Sequence, residues 1–136
     1  MSDGVRLSAQ LWLPDRADHE PVPAILEFIP YRKRDGVALR DHANHAWFAA
    51  RGYACVRPDM RGHGDSEGLM TDEYSPREQA DAVEVIEWIA GQDWCSGAVG
   101  MMGISWGGIA SLQAATHQPE ALKAVIPVGA SVDRYY

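Results

Sequence analysis

Hydrophobic and polar positions change their period several times along the chain. Val5, Leu7, Ala9, Leu11 and Leu13 alternate with Arg6, Ser8, Gln10 and Trp12, the period of a half-buried strand. PVPAILEFIPY (21–31) and GYACVRPDM (52–60) are short apolar runs closed by proline and polar residues, as buried strands are. Between them, DHANHAWFAARG (41–52) reads as a helix with a glycine stop at Gly52. The next helix is better marked: Ser75 can cap it, Pro76 suits its first position and Glu78 completes a capping box. Ala82, Val85, Ile86 and Ile89 then form an apolar stripe at helical spacing, closed by Gly91. AVGMMGIS (98–105) is a third buried strand, WGGIASLQAATHQ (106–118) a helix stopped at Pro119, and ALKAVIPVGA (121–130) a fourth buried run. The pattern predicts strands near 5–13, 24–29, 53–58, 98–103 and 123–129, and helices near 40–51, 76–91 and 106–117. A hairpin-like start followed by strand and helix in alternation predicts an α/β fold, a mainly parallel sheet with helices on both faces.

Size and composition leave that picture unchanged and narrow the partners. The 136 residues, 46% hydrophobic and 23% charged, suit a single globular domain or part of one. No repeat, linker or low-complexity stretch divides them. A net charge of −7 argues against nucleic acid and anionic membranes as partners, and no run approaches the length of a membrane span. MSDGVRLSAQ lacks the basic and apolar regions of a secretion leader. Cys55 and Cys95 show neither CxxC spacing nor a framework, so both are expected as reduced thiols in a cytoplasmic protein.

The stretch with most chemistry in it is GISWGG (103–108), which fits G-x-S-x-G and stands between a predicted strand and a predicted helix. That context gives the motif a mechanical meaning. A nucleophilic serine must stand on a tight turn at the carboxyl end of the sheet, and Gly103 and Gly107 leave room for the turn where a Cβ would collide with backbone. Gly108 extends the clearance, and Ala110, Ser111, Ala114 and Ala115 let the helix lie close on the sheet, its N-terminal dipole beside Ser105. The plainer reading is an ordinary strand-to-helix glycine turn with a bystander serine.

Acyl transfer also needs donors for the developing oxyanion. The backbone N–H of Trp106 follows directly from the motif. A second donor usually comes from the loop after an earlier strand, which opens here with Pro30, Tyr31 and Arg32. The Tyr31 hydroxyl could serve, since Pro30 has no N–H and fixes the chain's direction; packing of Tyr31 at a strand end is the equal alternative.

Three other features read as structural. In DMRGHGDSEG (59–68) the glycines suit positive φ, and Asp59, Arg61, Asp65 and Ser66 are expected to satisfy one another and the backbone, a substrate loop being the alternative. His42 and His45 can share a helical face, but without a third ligand they read as solvated or structural rather than as a metal site. YRKRD (31–35) is expected to be a solvated loop, with Arg32 or Arg34 available to a carboxylate.

Taken together, IPYRKRDG (29–36), RPDMRGHGDSEG (57–68), EVIEWIAGQDWCSGAVGMMGISWGG (84–108) and PEALKAVIPVGASVDRYY (119–136) resemble the X-Pro dipeptidyl-peptidase and cocaine-esterase-like family of α/β-hydrolases over essentially the whole chain. The resemblance implies an α/β-hydrolase sheet, a Ser-Asp-His triad, a helical cap inserted after the sixth strand and a C-terminal jelly-roll domain. It implies Ser105 as the nucleophile, and it favours Tyr31 as a hydroxyl donor to the oxyanion. Family members often have Tyr where this chain has Trp106; only the backbone N–H is required there, so the substitution bears on pocket shape rather than chemistry.

The rest of the machinery is not visible. The triad is expected in the order Ser, acid, His, yet beyond Ser105 the acids are Glu120 and Asp133 and the single histidine is His117. His117 lies too far along the nucleophile's own helix to reach Ser105, and the resembling family takes its acid from a later position than Asp133. Asp3-Gly4 is a hairpin signal with little before it to pair, where the family has a first strand. Residues 1–136 are therefore expected to be the N-terminal portion of a hydrolase core, lacking first strand, cap and C-terminal part. The function expected is hydrolysis of a small-molecule ester, amide or peptide through an acyl-enzyme on Ser105, without cofactor or metal. The alternatives are a catalytically silent fragment or interaction module associating through an exposed sheet edge, and an acyltransferase.

Overall fold

The computed structural model describes residues 1–133. Its strands are β1 (Ala9–Trp12), β2 (Val22–Leu26), β3 (Ala54–Pro58), β4 (Cys95–Ile104) and β5 (Leu122–Val128), and its helices α1 (Ala38–Ala49), α2 (Pro76–Ala90) and α3 (Trp106–Thr116), with a short 3-10 turn over Asp15–Asp18. Every predicted element is present, with boundaries displaced by a few residues, but β5, expected as a buried run, has no buried residue because it lies at the sheet edge.

The strands form one sheet in the order β1-β3-β2-β4-β5. β2, β3, β4 and β5 run parallel, with Leu26 opposite both Val56 and Met101 and Ile104 opposite Val128. The carboxyl ends of all four therefore lie along one edge, where α/β sheets place their chemistry. β1 is antiparallel, and its neighbour is β3, Leu11 facing Val56, rather than the strand that follows it in the chain. The opening is thus not a hairpin of β1 with β2. Asp3 and Gly4 do form a turn, in which Gly4 N–H donates to Met1 C=O at 3.0 Å.

Alternation along the strands splits the core into two faces. Val22, Ala24, Leu26, Phe28, Ala54, Val56, Val99 and Met101 pack with Ala82, Val85, Ile86 and Ile89 of α2 and Ala110 and Ala114 of α3. Arg57 points to the other face, where it meets Asp41 of α1. That second face is covered over β3 but not over the far end of the sheet, where Ile104, Ile126 and Val128 remain exposed. Cys55 and Cys95 are buried free thiols. No helix among the described residues is long and apolar enough to cross a membrane.

The capping box of α2 forms with one difference. Ser75 Oγ accepts from Glu78 N–H at 3.2 Å, while the Glu78 carboxylate reaches back to Tyr74 N–H at 2.8 Å rather than to that of Ser75.

Candidate active site

Ser105 occupies the single residue between β4 and α3. Its backbone stands at φ 55° and ψ −113°, a conformation that costs a non-glycine residue about 1–3 kcal/mol. Two things hold it there. Ser105 N–H donates to Val128 C=O of the neighbouring strand at 2.8 Å, and Ser105 C=O accepts from Ile109 N–H at 3.0 Å as the first bond of α3. The turn is tight enough that a Cβ on Gly103 would stand 2.4 Å from the carbonyl carbon of Gly107. On Gly108 it would meet Ala130 Cβ at 2.8 Å and Val128 O at 3.0 Å. The side chain of Ser105 is exposed at the mouth of this turn, beside the N-terminus of a helix whose first N–H groups have no intrahelical acceptor. That of Trp106 is among them.

The Trp106 indole is fixed from α2. Its Nε1–H donates to Glu78 Oε1 at 2.8 Å, and its ring stacks on Tyr74 with centroids 4.5 Å apart. Burial raises the Glu78 carboxyl above its ordinary range, against the lowering effect of the Trp106 and Tyr74 donors. The residue after the serine is therefore tied to the start of α2 by the same glutamate that caps the helix.

Tyr31 lies on the loop past β2 and is 40% exposed. It lines an open cleft with Arg32, Gly36, His63 and Gly64. The segment leading to it runs beside the serine turn: the Ile29 side chain lies 3.3 Å from where a Gly107 Cβ would be. The Tyr31 carbonyl accepts from the Arg57 guanidinium. Two residues on, Lys33 donates to Asp59 with both its N–H and its ammonium, each at 2.7 Å.

Lys33 corrects one expectation. YRKRD is not wholly a solvated loop, because the Lys33 side chain is 3% exposed and bridges Asp59 and Asp65. Arg32 and Arg34 are exposed, and their carboxylates are Asp35 and Asp65 within the protein. The 59–68 loop is built as the shaping reading requires, with one exchange of partners. Asp59 also accepts from Asp65 N–H, and Ser66 Oγ donates to Asp59 C=O at 2.6 Å. Arg61, however, turns away to Asp81 and Asp3. Gly62, Gly64 and Gly68 all have positive φ. Burial acts to raise the Asp59 carboxyl, but the Lys33 ammonium and the N–H groups of Asp65 and Lys33 outweigh it and hold it below its ordinary range.

A second charged cluster, not anticipated from the sequence, lies under α1. His45 Nε2 is 3.1 Å from Glu27 Oε2, Arg40 bridges Glu27 and Asp41, and Arg57 Nε donates to Asp41 Oδ2 at 3.0 Å. Glu27, Asp41 and His45 are buried and bring ligand atoms within 4.8 Å of one another. Those carboxylates are already neutralised by two guanidinium groups, so the chemistry of the set is that of an ion-pair network. Burial would raise Glu27, and the hydrogen bond from His45 with the charges of Arg40 and Arg57 lowers it further than burial raises it. His42 and His45 do share a face, both against Trp12. The signal for this cluster was a charge inside each of two apolar runs, Glu27 in PAILEFIPY and Arg57 in ACVRPDM.

Among the described residues no side chain hydrogen-bonds the Ser105 hydroxyl. His117 contacts Gln79 at 2.9 Å, His63 the Arg61 carbonyl at 3.0 Å, His45 Glu27 and His42 Trp12. Asp133 C=O accepts from Ser131 Oγ on the chain beyond β5.

The family model described as X-Pro dipeptidyl-peptidase (S15 family) matches residues 3–136. The cocaine esterase of Rhodococcus sp. (strain MB1 Bresler) is 44% identical over 138 residues, covering 99% of this chain and 23% of its own length. An Xaa-Pro dipeptidyl-peptidase of Lactobacillus delbrueckii subsp. lactis is 33% identical over 95 residues, covering 59% of this chain and 12% of that protein. The crystal structure of a CocE/NonD family hydrolase from Staphylococcus aureus superposes with a TM-score of 0.81 at 27% identity, over 93% of this chain and 25% of the other. The chain thus spans a quarter or less of the length of these three relatives, in a partial α/β-hydrolase fold.

Proposed function

The chain belongs to the X-Pro dipeptidyl-peptidase (S15) family, and we propose that it carries the nucleophile and the oxyanion donors of a serine hydrolase. Its relatives are esterases and Xaa-Pro dipeptidyl-peptidases, and the substrate class we assign is accordingly a small ester, amide or peptide. The observation that carries the proposal is the conformation of Ser105, an exposed, non-glycine residue held at φ 55° in the one-residue turn between β4 and α3. A bystander serine there would be replaced by glycine at no chemical loss.

In this reading Ser105 Oγ attacks the carbonyl carbon, and the resulting oxyanion accepts hydrogen bonds from the Trp106 N–H and the Tyr31 hydroxyl. Such donors act on charge that develops only in the transition state. The acyl group passes to Ser105 and the leaving group takes the proton by way of the general base. In this reading the base and its acid partner stand outside residues 1–136, since His42, His45, His63 and His117 have their contacts elsewhere and His19 precedes β2, at the opposite end of the parallel strands from Ser105. The 136-residue chain alone is then a nearly inactive piece of the site, retaining at most the roughly 10³- to 10⁴-fold over water that binding and oxyanion stabilisation supply.

The test uses the full-length hydrolase that contains this chain, with an activated acyl ester and a serine-directed fluorophosphonate. Ser105→Ala should abolish labelling and lower kcat by about 10⁶-fold. Tyr31→Phe should lower kcat by about 10²-fold or more with folding intact. Labelling that persists in Ser105→Ala places the nucleophile elsewhere, and an unchanged kcat in Tyr31→Phe returns that residue to packing. Rapid ester turnover by the isolated chain, lost in Ser105→Ala, would put a base within these residues.

A further inference from the structure

Arg57 is a large, fully buried side chain on β3, between β1 and β2 in the sheet, and nothing in the chemistry above uses it. Burying a guanidinium is costly unless it is paired and its donors are satisfied, and an aliphatic residue would continue the Ala54-Cys55-Val56 run more cheaply. Its contacts show what it does instead. Nε donates to Asp41 Oδ2 at 3.0 Å; one terminal nitrogen donates to Pro58 C=O at 2.7 Å and Ile29 C=O at 3.3 Å; the other donates to Tyr31 C=O. The carbonyls of Ile29 and Tyr31 flank Pro30 on the segment that leaves β2.

That segment has lost its sheet partner. The β2–β3 register ends at Leu26 opposite Val56, with one more bond from Glu27 N–H to Val56 C=O. Pro58 has no N–H with which to extend the ladder. The guanidinium supplies, from a side chain, the donors that backbone no longer can. Being planar and rigid, it fixes two carbonyls two residues apart and hence the orientation of the backbone from which the Tyr31 side chain projects. The guanidinium is itself held: Asp41 is gripped by Arg40, which also binds Glu27, whose second oxygen meets His45. On the other side of Tyr31 the Lys33–Asp59 contacts pin the loop to the residue two after Arg57.

We infer that Arg57 is a positioning residue, which aims the Tyr31 hydroxyl at the oxyanion by holding the Ile29 and Tyr31 carbonyls from a guanidinium anchored on α1 through Asp41. The inference rests on the proposed role of Tyr31. It predicts that loss of Arg57 is felt only through that tyrosine, which a merely structural arginine would not show.

The experiment is a double-mutant cycle in the full-length hydrolase, read as kcat and KM on the activated ester in variants whose far-ultraviolet circular dichroism matches that of the parent. Arg57→Lys, which keeps the charge on Asp41 but loses the planar fork, should lower kcat by about 10-fold or more with KM within about 3-fold, because small displacements of a positioned group cost rate rather than binding. Introduced into Tyr31→Phe it should lower kcat by less than about 2-fold, since the two positions act as one unit. Should Arg57→Lys not fold, Asp41→Asn leaves the guanidinium present without its anchoring charge and carries the same comparison. An equal loss in both backgrounds, or no loss in the single variant, overturns the inference while leaving the Tyr31 reading standing. An unchanged kcat in Tyr31→Phe alone overturns that reading, and the inference with it.

Discussion

Gly103 and Gly107 approach so closely across the serine turn that a methyl group on the first would stand 2.4 Å from the carbonyl carbon of the second. Backbone meets backbone there, and no flexible side chain can yield. Gly103→Ala should therefore destabilise the protein by about 3 kcal/mol or more, the upper range for overpacking. Gly36→Ala is the control, because its Cβ would meet nothing within 4 Å and its φ is not positive; it should change stability by less than about 0.5 kcal/mol. Urea unfolding midpoints of the two variants check the contrast.

Ser105 invites a second comparison. At φ 55° and ψ −113° glycine is unstrained and alanine is not, so Ser105→Gly should be more stable than Ser105→Ala by about 1 kcal/mol, less whatever glycine adds to the freedom of the unfolded chain. Parallel denaturant titrations with equal slopes measure it. Equal midpoints would mean that the turn relaxes once the serine is gone.

For Asp59 the expected effect is one of pH. Its folded carboxyl lies below the ordinary value of 3.8, so its pairing with Lys33 adds stability that is complete above that value and lost as pH falls through the lower folded one. The margin by which the parent exceeds Asp59→Asn should be constant above about pH 5 and shrink below 3.8. Thermal unfolding of both proteins from pH 7 to pH 3 follows the margin; one that grows on acidification would reverse the assignment.

Cys55 should be chemically silent while the protein is folded. Burial pushes its thiol up to about 12, leaving roughly one molecule in 10⁴ as the reactive thiolate at pH 8. Titration with an aromatic disulfide reagent should modify it at least about 10²-fold faster in concentrated urea than in buffer. Fast modification in buffer would place the thiol in solvent.

Apolar periodicity made the sheet and helices legible because β2 to β5 are apolar runs of strand length and α2 carries its stripe at unbroken helical spacing; that β3 would be buried throughout while β5, at the sheet edge, would have no buried residue was not written in those runs. The GISWGG turn was legible for a different reason: glycine at three positions around one serine leaves few backbone paths. What periodicity could not show was pairing. β1 alternates as a half-buried strand wherever it lies, so nothing in its letters said that β3 rather than β2 would be its neighbour. Ion pairs were hidden in the same way. Closeness in sequence points Arg61 to Asp59 and Asp65, whereas its carboxylates are Asp81 of α2 and Asp3. Lys33 looked solvated among four other polar and charged letters, and only the fold brings Asp59 to it. Glu27 and Arg57 did leave a trace, each a charge within an apolar run, which signals a buried partner without naming it.

The hydrogen bond from Ser105 N–H to Val128 C=O has a consequence for protein engineering. The hexapeptide Gly103–Gly108 cannot be transplanted as a cassette, because its shape is borrowed in part from a strand that enters the sheet only after the whole of α3. A host scaffold that offered a compatible strand and helix, but no carbonyl at the place of Val128 and no clearance beside Gly108 at the place of Ala130, would receive the letters and relax the bend. Grafting must bring β5 as well.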